Sequence, residues 1–197
     1  MKTILILASL GAIYFVFQSF ISVNALKTEK QKYRVVLKDE DIEIRYYPTA
    51  TFATIYSPAT NYKGLASNGF RKLAGFIFGG NEQNESISMT APVRMSMSEK
   101  GSSMSFVMPE KYATKNLPTP KDKNIQIQQS KPEYVAVISF SGYASDDKIA
   151  EYRTKLQNIL VKRNIKQNGA FSFLGYNAPF QFIGRTNEII IPIEWKE

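Results

Sequence analysis

The chain has 197 residues, 44% of them apolar and 13% aromatic, which suits one globular domain with a sizeable core and excludes a disordered chain. It contains no Cys and no His, so Ser-His-Asp triads, Cys nucleophiles, Cys/His zinc sites, His-ligated haem and disulfide frameworks are excluded. The net charge is +8, but basic and acidic residues are interspersed and no nucleic-acid motif is present, so the balance reads as a basic surface and no nucleic-acid partner is expected.

The chain opens with Lys2, then an uncharged run rich in Ile, Leu, Ala and Phe, then Ser22-Val23-Asn24-Ala25 with small residues spaced as in a cleavage site. Residues 1–25 therefore read as a secretory signal peptide. The run from Thr3 to Val23 is also long enough to span a bilayer once, as a retained signal anchor. On either reading the folded part is exported, periplasmic or extracellular, or held at the membrane by residues 3–23. Membrane contact is expected only through that segment.

Residues 26–32 follow as a charged linker, and residues 33–197 form the domain. Tyr33 to Leu37 reads as a strand. Ile42-Glu43-Ile44-Arg45-Tyr46-Tyr47 alternates, placing Ile42, Ile44 and Tyr46 inward and Glu43, Arg45 and Tyr47 outward. Ala50 to Tyr56 is a further strand. Thr60 or Asn61 caps a helix from about Tyr62 to Phe78, with Leu65, Phe70, Leu73 and Ile77 as its apolar stripe. Gly64, Gly69 and Gly75 weaken this helix and suggest close approach of something to its backbone; Gly79-Gly80-Asn81 stops it.

The longest alternation runs from Ile87 to Met97 and predicts one strand, in which Pro92 implies an edge or a bulge. Met104 to Met108 pairs beyond a turn, and Pro109 to Asn124 is a long Pro- and Lys-rich loop, a candidate lid or rim. Ile125 to Gln128 and Tyr134 to Ser141 are strands. Ser145-Asp146-Asp147 starts a second helix to about Asn164, with Ile149, Leu156, Ile159 and Leu160 inward. Phe171 to Leu174 and Glu188 to Trp195 close the chain; Ile189, Ile191, Ile193 and Trp195 share a face.

Tyr176-Asn177-Ala178-Pro179-Phe180 echoes Met89-Thr90-Ala91-Pro92-Val93, and the same offset carries helix onto helix and strand onto strand. The expected fold is α+β: duplicated β-α-β-β units forming a distorted antiparallel β-barrel flanked by two helices. A small, flat apolar ligand fits between the sheet and a helix in such a fold.

Glu43-Ile44-Arg45-Tyr46-Tyr47, Met89-Thr90-Ala91-Pro92-Val93, Met108-Pro109, Phe140-Ser141-Gly142, Gly175-Tyr176-Asn177-Ala178-Pro179 and Arg185-Thr186-Asn187-Glu188-Ile189 together resemble the SOUL family of haem-binding proteins. The resemblance covers about Tyr33 to Trp195 and implies reversible tetrapyrrole (haem) binding without catalysis. It also implies kinship with bacterial effector-binding domains. Some members carry a His as proposed axial ligand; Tyr46 stands at that place here. Others are thought to hold porphyrin in an apolar groove along the first helix with basic side chains near the propionates. The groove positions match in character at Phe70, Leu73 and Ala74, whereas Ser67 and Gly75 stand where the basic residues would be.

Further candidates come from the chemistry of the side chains. Tyr46 is the possible haem iron ligand, since phenolate ligates ferric haem, although an inward Tyr with a hydrogen-bonded hydroxyl is more often ordinary core. Met89 and Met95 face inward from the Met-rich segment, and thioether suits haem iron or an irregular core. Arg185 and Lys72 are candidates for ligand carboxylates, with a local salt bridge or turn contact as the alternative for Arg185. Acidic residues fall mainly at turns and on outward strand positions, which favours a non-catalytic binding protein. The alternatives are a small-molecule hydrolase on the related effector-binding scaffold, marked by a buried Glu or Tyr at a cleft floor, and a scaffold that has lost its ligand.

Overall fold

The computed structural model describes residues 28–113 and 116–196. The signal peptide or anchor over residues 1–25 lies outside the described residues. No helix among the described residues is long and apolar enough to cross a membrane.

The strands are β1 (Glu29–Lys30), β2 (Arg34–Lys38), β3 (Glu43–Tyr47), β4 (Thr51–Ser57), β5 (Thr90–Ala91), β6 (Val93–Ser98), β7 (Gly101–Val107), β8 (Ile125–Gln129), β9 (Glu133–Ser141), β10 (Ser172–Gly175) and β11 (Thr186–Pro192). Helix α1 spans Tyr62–Ile77 and α2 spans Asp146–Lys162. Nine strands form one open sheet in the order β2-β3-β9-β11-β10-β6-β7-β4-β8, curled as a half-barrel. Every pairing in it is antiparallel.

The order exposes the duplication. In chain order, β4-α1-β6-β7 corresponds to β9-α2-β10-β11, and in the sheet β4, β7 and β6 mirror β9, β11 and β10 about the β6–β10 seam. That seam pairs Ser172 with Ser96 and Phe173 with Met95. The helices start at residues 62 and 146, an offset of 146 − 62 = 84, so the 87-residue echo of the Ala-Pro motifs is not the true register. Ala178–Pro179 lies in the β10–β11 loop and sets no strand edge.

The long alternation is divided. Thr90–Ala91 forms β5, a cis peptide bond joins Ala91 to Pro92, and β6 begins at Val93. Strand β6 lies inside the sheet between β10 and β7, so Pro92 marks neither an edge nor a bulge of it. Proline at that point supplies no ladder N–H, and the chain changes sheets there. Strand β5 pairs in parallel with β1, and Gln31 N donates to Ala91 O at 2.8 Å. Part of the expected linker is therefore bonded structure.

The main core lies between the sheet and the helices. Leu65, Leu73, Phe76 and Ile77 of α1 and Ile149, Leu156 and Leu160 of α2 pack on Ile44, Ile55, Met104, Phe106, Ile138, Phe173, Ile189 and Ile191. Asn61 caps α1 by accepting from Gly64 N at 2.8 Å, and Ser145 caps α2 by accepting from Lys148 N at 3.3 Å. Of the three helical glycines, Gly69 alone meets the sheet: a Cβ there would lie 3.3 Å from the Met104 thioether, whereas Gly75 faces open space. The long loop after β7 includes a 3-10 turn at Glu110–Ala113 and is tied back by Glu82 N donating to Thr119 O and Lys121 N to Gly80 O.

Candidate functional site

The opposite face of the sheet is also partly closed. Tyr47, Val135, Val137, Leu174 and Ile190 form a second apolar cluster there, with Tyr176 packed against it. Period-two alternation turns Arg45 of β3, Ser139 of β9 and Glu188 of β11 to this face as well. The expectation that Glu43, Arg45 and Tyr47 face solvent is thus corrected: Arg45 is 4% exposed and Tyr47 3%.

Glu188, 4% exposed, accepts four hydrogen bonds. Arg45 Nη1 and Nη2 donate to its two carboxylate oxygens at 3.0 and 2.9 Å, in the paired geometry that is strongest for this ion pair. Tyr176 Oη donates at 2.7 Å and Ser139 Oγ at 3.3 Å. Arg45 Nε donates to Glu43 Oε2 at 2.8 Å, and the Tyr33 ring covers the guanidinium at 4.1 Å. Burial alone would lower the Arg45 pKa, but the hydrogen bonds and charge of Glu188 outweigh it and raise the pKa above the ordinary value. Burial pushes the Tyr47 hydroxyl up to about 12, against the opposing pull of Arg45. Burial, reinforced by the Glu188 charge, raises Tyr176 further.

A cleft of about 490 Å³ opens above this cluster. Tyr176 and Glu188 lie at its floor, with Tyr33, Ile183, Gln181 and Lys30 around them. Gln181 is 3% exposed and its Oε1 has no hydrogen-bond partner, while its Nε2 donates to Ile183 O. The volume is in the range of small-molecule sites, and the walls combine aromatic rings, an aliphatic side chain and a cation.

The sequence candidates are distributed elsewhere. Tyr46 is half-buried at the sheet margin, its ring 5.0 Å from Tyr134 and 5.6 Å from the Arg34 guanidinium. Leu73 is sealed in the main core, Phe70 stacks edge-on with Phe106 at 5.4 Å, and Ala74 is half-buried on α1. Met95 is core, and Met89 packs against that core from outside. Arg185 makes the turn contact: Nη1 donates to Ala178 O at 2.7 Å and Gln181 O at 2.8 Å, and the guanidinium lies 4.3 Å from the Tyr143 ring. Lys72 lies within charge range of Asp122. The structure does not gather these residues around the cleft; Leu73 and Met95 belong to one core, and Arg185 braces the loop that forms one cleft wall.

Arg45, Glu188, Tyr176 and Tyr33 escaped the sequence reading as a group. A signal for them exists: Val135-Ala136-Val137-Ile138 and Ile189-Ile190-Ile191 are unbroken apolar runs, the pattern of strands covered on both faces. Charged residues at the same parity as a covered second face are then buried and must be paired.

Comparison with known proteins agrees with this fold. The model of the SOUL heme-binding protein family matches residues 28–192. The mouse (Mus musculus) protein named Heme-binding protein 2 is 32% identical over 156 residues, 75% of each chain. Among solved structures, the EcmrR C-terminal domain superposes with a TM-score of 0.57 at 11% identity, covering 83% of this chain and 99% of that one. A hydrolase from Listeria innocua superposes with a TM-score of 0.55 at 6% identity, covering 81% and 94%, so these two show shared fold alone. With its duplicated half-barrel and a family match across nearly all the described residues, the chain belongs to the SOUL haem-binding protein family.

Proposed function

We propose that this protein is an exported or membrane-tethered, non-catalytic binding protein for a tetrapyrrole, held in the cleft above Glu188 by its faces and its carboxylates. The observation that carries the reading is the cleft itself, with the Tyr33 and Tyr176 rings and Ile183 available to a planar apolar ligand and Lys30 to its acid groups.

The fit to iron is different from the fit to the ring. The chain has no His or Cys, and the Tyr176 hydroxyl is committed to Glu188 and disfavoured as phenolate. Tyr46 packs against Tyr134 with the two rings tilted and lines no part of this cleft. Haem supplies a planar conjugated ring with two acidic arms; the residues present match those features and need no axial bond to iron.

The buried Glu188 invites the hydrolase reading, and its surroundings argue against it. A general base needs a free lone pair towards substrate or water. Both oxygens of Glu188 are engaged by a buried guanidinium and two hydroxyls, so the carboxylate acts as structure.

Titration of the purified chain with ferric haem and, separately, with metal-free protoporphyrin tests the proposal. Saturable Soret changes are expected for both, with similar affinity, and Tyr46→Phe should leave them unchanged. Ile183→Asp should weaken both by about tenfold, the loss of one apolar contact of about 1.4 kcal/mol. Binding of the iron form alone would replace contact by ligation, and no saturable change with either ligand would overturn the reading.

A further inference from the structure

Three separate chain segments meet at one end of the molecule. The first is the start of the described residues, where Lys30 and Gln31 line the cleft. The second is the β10–β11 loop, which contributes Gln181, Ile183 and Gly184 to the same cleft. The third is the β9–α2 connection, joined to that loop by Tyr143, whose hydroxyl donates to Pro179 O and whose ring meets Phe182 at 6.0 Å.

This end carries a concentration of exposed apolar side chains. Phe180 is 56% exposed, Phe182 54%, Ile183 57% and Tyr143 47%. Four large apolar residues at one loop cluster mark a contact surface rather than scattered exposure. The loop is stiffened for that purpose: Arg185 bonds the Ala178 and Gln181 carbonyls from beneath and lies against Tyr143. Lys148, whose Nζ reaches Ser141 O, and Lys30 place positive charge beside it.

What this surface meets is set by the chain preceding it. The apolar stretch long enough to span a bilayer ends at Val23 and the described residues start at Thr28, five residues on (28 − 23 = 5). Fully extended, five residues reach at most about 18 Å. A headgroup layer takes about 5–8 Å of that length. With residues 3–23 in a bilayer, Lys30 is therefore held close to the lipid surface, and the cleft it shares with Ile183 lies with it.

We propose that the loop tip formed by Phe180, Phe182 and Ile183 with Tyr143 is a lipid-docking surface, seated in the headgroup region of the bilayer that holds residues 3–23. Aromatic and aliphatic side chains flanked by lysines suit that depth. Docking then turns the cleft mouth towards lipid, where an apolar planar ligand is most concentrated. The proposal rests on the tether of the preceding subsection and is independent of which ligand the cleft takes.

The absence of Cys from the chain allows single-site labelling. Full-length protein carrying Ile183→Cys or, as control, Gln126→Cys on the β8 edge is labelled with an environment-sensitive dye. It is then reconstituted in phosphatidylcholine/phosphatidylglycerol vesicles with headgroup-proximal nitroxide lipids. Flotation with the vesicles, a blue-shifted emission and strong nitroxide quenching at 183, and neither spectral effect at 126, are expected. Flotation with equal, water-like emission at both positions overturns docking while keeping the tether. Failure to float overturns both. A dye at 183 that is shielded without lipid, in proportion to protein concentration, identifies a second copy of the chain as the occupant and also overturns the proposal.

Discussion

At the scale of single residues, the Arg45–Glu188 pair sets the character of the second sheet face. Both side chains are almost fully buried, 5% and 6% exposed, so each depends on the other for its charge. Removing one partner of such a pair leaves an uncompensated buried charge and costs about 3–5 kcal/mol, whereas replacing both with apolar residues is close to neutral. We expect Arg45→Met to lower the denaturation midpoint strongly and the double variant Arg45→Met/Glu188→Leu to recover most of the loss. A double-mutant cycle in urea measures the difference, and equal losses in single and double variants would refute the assignment.

Tyr47 gives the same region a pH signature. Its hydroxyl titrates at about 12 in the folded chain, against about 10 when unfolded. Between those values the unfolded chain has released a proton that the folded chain keeps. Stability is therefore complete below about pH 10 and falls as pH rises towards 12, by up to about 1.4 kcal/mol per pH unit for this group. Tyr176 shifts the same way. Urea midpoints measured from about pH 9 to about 11.5 should show the decline, and Tyr47→Phe should lessen it, leaving the share that Tyr176 contributes.

At the scale of elements, α1 shows how far local pattern carries. Its apolar stripe, its Asn61 cap and its stop before Gly79 (φ +103) were all legible, because helical period and capping chemistry act within a few residues. The roles of its glycines were not, because they depend on what lies across the gap. Gly75→Ala places a methyl in open space and should stabilise the protein by up to about 1 kcal/mol in thermal or urea unfolding; Gly69→Ala should gain less, since Met104 must move. Pro92 was misread for a related reason: local sequence says that a ladder N–H is missing, not whether the chain leaves one sheet for another at that point. The β3 alternation was sound as geometry; which face is covered is decided by Leu174, Tyr176 and Ile190, far away in the chain.

At the scale of the whole molecule, the duplication was visible as an order of elements, and its register was not, since the Ala-Pro echo occupies unequal places in the two units. The cleft was invisible for a stronger reason. Its walls come from β1, the segment before β2, the β10–β11 loop and β11, brought together only by the sheet order. That order also places the β2–β3 hairpin, which precedes the first unit in the chain, on the outer edge of the second. A consequence follows for the order in which the chain is made. Strand β3 finds its inner neighbour only when β9 arrives, and Arg45 meets Glu188 across 143 residues. At about 5–20 residues per second of synthesis, that wait is on the order of ten seconds, during which β3 has only β2 beside it and Arg45 only Glu43 as counter-charge. The first unit finds its strand pairings within itself, whereas the hairpin made before it is seated on the second, so the sheet is completed only from the carboxyl end.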